Sequence, residues 1–155
     1  MYTATVPLTI LSFTPYDGTP SSLMTAQLQA PISGPGSQGI FSGDGQSVTV
    51  RVPAGYGGLV QINYQLNDPN YVLTGIAVDP TAVPGGVSFG RQQLPSVVVN
   101  RDSAGSQLIV TDACLRNFSN VDFNFLILVQ CVNSGDPNSG RIGAIDPDIE
   151  NETEN

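Results

Sequence analysis

Residues 121–132 read Val-Asp-Phe-Asn-Phe-Leu-Ile-Leu-Val-Gln-Cys-Val, and no other run constrains the fold as much. In an extended strand, successive side chains point to opposite faces. Phe123, Phe125, Ile127, Val129 and Cys131 then share one face, while Leu126, Leu128 and Val132 share the other. A buried helix would also accept such a run, but the enrichment in β-branched and aromatic residues favours a strand. A strand apolar on both faces needs cover on both, which places this one in the middle of a sheet.

The surrounding composition points to β-structure as well. The chain of 155 residues contains no Lys, no His and no Trp, and its positive charge is five scattered Arg. Against these stand ten Asp and three Glu, a net charge of −8. All three Glu (Glu150, Glu152 and Glu154) follow position 149. A body without Glu or Lys, rich instead in Gly and Pro, lacks the residues that solvate helices. With no basic cluster, neither nucleic acid nor an anionic membrane is an expected partner, because both recruit Lys and Arg to phosphate. No window approaches a membrane span and no basic segment precedes an apolar run near Met1, so the expected location is cytoplasmic.

Period-two patterning and turn chemistry divide the chain into about nine short strands. They fall at 6–13, 24–30, 47–52, 59–66, 71–79, 97–100, 107–111, 121–132 and 141–145. Gly-rich 31–39 reads as a loop. Asn67-Asp-Pro-Asn70 reads as a turn that folds 71–79 back onto 59–66 as a hairpin. A second hairpin, turning near 117–120, would join 108–116 to 121–132. It would hold Cys114 and Cys131 too far apart for a disulfide, leaving two buried thiols. The expectation is one all-β domain over 1–145, an antiparallel β-sandwich of immunoglobulin-like or related Greek-key type, followed by a solvated acidic tail at 146–155.

The missing residue types narrow the chemistry. Without His or Lys there is no base for Ser-His, Cys-His or Ser-Lys catalysis, and no P-loop lysine. Only a carboxylate-based hydrolase survives as an enzymatic reading, so the chain is expected to be non-catalytic and to need no cofactor. Asp146, Asp148 and Glu150 alternate and could offer oxygen ligands to Ca²⁺, helped by Asp17, Asp44 or Asp136 from loops. An extended run lacks the curvature of a coordination sphere, and Asp17 and Asp44 each sit where a turn needs an Asp. Tyr16, Tyr56, Phe89 and Phe118 lie in turn-rich segments. Clustered at one end of the sandwich they would face a ligand; otherwise they plug its ends.

Three segments carry a family resemblance. Tyr71-Val-Leu-Thr-Gly-Ile-Ala-Val-Asp-Pro80, Ser106-Gln-Leu-Ile-Val-Thr-Asp112 and Ile142-Gly-Ala-Ile-Asp-Pro-Asp-Ile-Glu-Asn151 together resemble the small bacterial DP-EP proteins. Here the last motif continues into Glu152-Thr-Glu154 in place of Glu-Pro. The resemblance implies a single β-sandwich and no activity. The functional expectation is a binding or self-assembly module, homo-oligomeric through sheet edges that carry no blunting Lys. The alternative is a carbohydrate- or Ca²⁺-dependent module using the end loops and the acidic tail.

Overall fold

Alternation in sequence becomes alternation in burial. The computed structural model describes residues 1–78, 94–102, 105–113 and 121–153. Its strands are β1 (Tyr2–Ser12), β2 (Thr25–Leu28), β3 (Ile32–Ser33), β4 (Phe41–Gly43), β5 (Ser47–Val52), β6 (Val60–Leu66), β7 (Tyr71–Val78), β8 (Ser96–Arg101), β9 (Ser106–Asp112), β10 (Val121–Cys131), β11 (Ile142–Ile145) and β12 (Asp148–Thr153). The only helical turn among the described residues is a short 3-10 turn at Pro20–Ser22. Val60, Ile62, Tyr64 and Leu66 are buried on one face of β6, as are Val48, Val50 and Val52 on β5. The same rule sends Phe125, Ile127, Val129 and Cys131 of β10 inward, while Leu126 and Leu128 on the opposite face are half-buried.

One sheet has the order β2-β1-β6-β9-β8, with β3 also on β1. The other strands assemble on β10. One side of β10 takes β7. The other takes β11 and then β12 in a single continuous register, from Gln130↔Ile142 to Val121↔Asn151. β11 and β12 thus act as one strand interrupted at Asp146-Pro147, where Pro has no N–H to give the ladder. β12 also pairs with β5 in parallel, and β5 pairs with β4. A second parallel ladder joins β1 to β6, so both sheets are mixed and not antiparallel throughout as the sequence led us to expect.

Pro7 sits inside β1, although Pro is normally confined to an edge strand or a strand start. Its carbonyl accepts from Gln29 N at 2.9 Å, so its missing N–H faces the β2/β3 side. On that side β3 ends its pairing at Thr5 and β2 begins at Leu8, leaving no ladder bond for Pro7 to break.

The buried faces of β1, β6 and β9 join those of β5, β7, β10 and β12 in one apolar cluster. Tyr64 and Phe125 meet edge to face at its centre, with ring centroids 6.3 Å apart. At one end of β1, Tyr2 packs on Tyr56; at the other, Phe13 stacks on Tyr71.

Four further expectations need correction. The 67–70 turn forms, with Asp68 Oδ1 accepting from Asn70 N, but it does not close a hairpin. β6 already has β1 and β9 on its two sides, so β7 crosses to β10 instead. For the same reason β9, flanked by β6 and β8, does not pair with β10. The register argument about the cysteines falls with that hairpin: Cys131 is buried and free, and Cys114 lies outside the described residues. Three strands were not anticipated, namely β3 inside the Gly-rich 31–39 segment expected to be a loop, β4 just after it and β12 within the supposed tail. Residues 148–153 are no solvated tail, because they fill the space between β10 and β5.

Ile149 of β12 is fully buried. Ile149→Ala is expected to lower stability by about 2–5 kcal/mol, the usual range for truncating a core Ile. Urea denaturation followed by circular dichroism measures this; an unchanged midpoint would mean that the segment does not pack.

Candidate functional site

Two surfaces of the β2-β1-β6-β9-β8 sheet carry the strongest features. The first is the outer edge. Asp102 N donates to Gly105 O at 3.0 Å and closes the β8–β9 hairpin. In an antiparallel pair, hydrogen-bonded residues alternate with non-bonded ones. Counting back from Asp102, positions 100, 98 and 96 address β9, while Val97, Val99 and Arg101 direct their backbone N–H and C=O groups away from it. No described strand pairs with that side of β8. Val98 and Val99 are 45% and 39% exposed, and the strand contains neither Pro nor Lys to blunt it.

The second surface is the face turned away from the core. Register aligns its outward positions in three rows across β1, β6, β9 and β8. They are Thr3–Gln61–Thr111–Ser96, Thr5–Asn63–Ile109–Val98 and Pro7–Gln65–Gln107–Asn100. Hydroxyls and amides dominate this grid, and none of its side chains is charged. Asn63 Oδ1, near its centre, is buried with no hydrogen-bond partner among the described residues. Where the β1–β6 ladder ends, a groove of about 340 Å³ opens, lined by Pro7, Thr9, Gln29, Gln65, Asn67 and Asp68. A neighbouring cavity of about 250 Å³ is bordered by Asp68, Tyr71, Arg101 and Asp102. Sequence reasoning missed the grid. Its polar alternation is legible strand by strand, but the rows exist only once non-adjacent strands are paired.

The charges lie elsewhere. On the β5–β12 ladder Arg51 Nε donates to Glu152 Oε2 at 2.8 Å, and the pair is bidentate from the guanidinium through Nη2. Both side chains are open to solvent, which limits the contribution of such a pair to roughly 0–1 kcal/mol.

The loop aromatics do not converge. Tyr56 sits beside Tyr2, at the start of β1, and its hydroxyl donates to Leu59 O at 2.7 Å. Tyr16 follows the far end of β1, where its N–H donates to Ile142 O at 2.9 Å. The two therefore lie at opposite ends of an eleven-residue strand. Phe89 and Phe118 lie outside the described residues.

The carboxylates offered as oxygen ligands are also spread out. Asp148 and Glu150 belong to β12, and exposed Asp146 precedes it. Partial desolvation raises the Asp146 carboxyl above its ordinary pKa, even though the residue is exposed overall. Asp136 Oδ1 accepts from Asn138 N at 2.8 Å, which closes its own turn. The Thr19 hydroxyl, Ser22 and the Thr19 N–H hold Asp17 below the usual carboxylate range. Backbone N–H groups of Ser47 and Gln46 do the same for Asp44. Among the described residues there is no group of three or more His, Cys, Asp or Glu able to hold a metal ion. No described helix is long and apolar enough to cross a membrane. No family model, curated protein or solved structure matches the chain.

The lowered pKa of Asp44 has a defined pH signature. Its contribution is fully present above the unfolded carboxylate value of about 3.9 and is lost as pH falls through the lower folded value. Asp44→Ala should lower the thermal midpoint by a constant amount from neutrality to about pH 5, and the gap should close in more acidic buffer. A gap that stays constant to the acid limit would show that the carboxylate does not hold the turn.

Proposed function

We propose that this chain is a non-catalytic assembly module whose two layers form a β-sandwich of immunoglobulin-like or related Greek-key type. One apolar cluster uniting both sets of strands, with the Tyr64–Phe125 contact at its centre, supports the layered reading. The DP-EP resemblance is compatible with the same architecture. Edge-to-edge docking of two copies accounts for the side of β8 that no described strand pairs, which is the observation that carries the proposal.

An unpaired strand edge is a template for another strand, and β8 has the requirements in one place. Three residues, Val97, Val99 and Arg101, direct backbone groups to the side that no described strand pairs, and Val98 and Val99 are exposed beside them. Antiparallel self-pairing must set outward-directed residues opposite one another. Centring the pair on Val99 does so three times, with Val99 facing Val99 and each Val97 facing an Arg101. No like charges then stand opposite each other. Of the other edges, β2 has four residues, β4 three and β3 two, while the eight-residue β7, which pairs only with β10 among the described strands, is bent by a bulge where Leu128 and Val129 face Gly75 and Leu73.

Size exclusion with light scattering tests this. The wild-type mass should rise above that of a 16.2 kDa monomer as concentration increases to high micromolar. Val99→Lys supplies the blunting residue that the edge lacks, and it should stay monomeric with an unchanged circular dichroism spectrum. A wild type that remains monomeric throughout would refute edge docking.

A further inference from the structure

We infer that the uncharged face of the β1-β6-β9-β8 grid is a binding surface for a neutral polysaccharide chain. This surface is separate from the β8 edge and does not depend on docking there. The absence of charge is the first argument. In a protein of net charge −8, twelve aligned positions hold none; nine of them (all except Pro7, Ile109 and Val98) carry a hydroxyl or a carboxamide, and all nine but the buried Thr111 are at least partly exposed. Carboxamides and hydroxyls both donate and accept hydrogen bonds, which suits a ligand whose hydroxyls do the same. A nucleic acid or anionic lipid would need the Lys and Arg that the face lacks. A cationic partner would gain nothing from it.

Size is the second argument. Four strands about 4.8 Å apart and five residues deep give a patch of a few hundred Å². A stable protein partner normally covers about 800 Å² per side, with an apolar centre. The grid is too small and too polar for that, yet wide enough for a short stretch of sugar chain. The strand spacing is close to the length of one pyranose unit, so successive sugars lying across the strands meet successive polar side chains. Val98 and Ile109 give the apolar side of a ring a place to rest. The groove at Thr9, Gln29, Gln65, Asn67 and Asp68 extends the surface beyond the end of the grid, with a carboxylate available to vicinal hydroxyls.

Native gel electrophoresis through hydroxyethylcellulose, laminarin or galactomannan tests this, with polygalacturonate as a charged control. At least one neutral polymer should retard the protein. Gln61→Ala combined with Gln107→Ala should weaken that retardation about tenfold or more, corresponding to loss of about 1.4 kcal/mol. Thr5→Glu, which puts a charge on the grid, should weaken it comparably, and circular dichroism confirms that each variant is folded. The inference is overturned if no neutral polymer retards the protein, if only polygalacturonate does, or if retardation survives in both folded variants. Self-association that depends on Gln61 and Gln107 would assign the face to a second copy instead.

Discussion

The fold depends on β12 entering between β10 and β5. β5 has only β4 on its other side, and β4 pairs with nothing else among the described strands. Without β12, the β4–β5 pair would lose its backbone connection to β10, and Val48 and Val50 would lose the sheet that holds them against the core. A two-stranded ribbon is marginal alone, whereas the same ribbon extended through β12 into β10 has enough paired neighbours to be stable. β1 plays the matching part in the other sheet, holding β2 and β3 to β6. In both cases the joining ladder is parallel, an arrangement that no tight hairpin can make.

That dependence explains what could be read from the sequence and what could not. The buried faces of β5, β6 and β10 follow from period-two alternation, a local property that each strand carries in its own residues. Pairing is not local. Asn67-Asp-Pro-Asn70 contains every feature of a hairpin turn and does form a turn, but turn residues specify a change of direction. The receiving sheet is set by which strand edges remain open. With β1 and β9 on β6, β7 has no place beside it and pairs across with β10. β12 was hidden for a different reason. Acidic alternation usually marks a solvated segment, and here it marks a strand with Ile149 turned into the core and Glu152 on the other face, paired with Arg51. One buried Ile among acidic residues is too weak a signal to reveal a strand.

The charge distribution follows the same division. Arg51 and Glu152 lie on the β5–β12 ladder, and most of the described Asp residues occupy turns where their oxygens cap backbone N–H groups. Once turn-forming Asp and the β12 acids are accounted for, little charge is left for the β1-β6-β9-β8 face. That face stays solvated through amides and hydroxyls instead. Uncharged polar side chains keep water without repelling a neutral ligand, a combination that neither a core face nor an acidic face provides.

Placing the acids on β12 also bears on how the strands around β10 assemble. β12 follows every other described strand in the chain, so the side of β5 that it occupies stays open until β12 arrives. An open β-edge without Lys is prone to pair with the wrong strand. Asp148, Glu150 and Glu152 repeat at every second position, so two copies of β12 repel each other before either can pair with the other. β5 instead offers Arg51, which the parallel register sets opposite Glu152. The exposed pair adds little to stability once formed, but it favours this register over a slip of one residue. Such a slip would also turn Ile149 out of the core. The acidity first read as a property of a tail therefore helps to select the partner of the strand on which the second sheet depends.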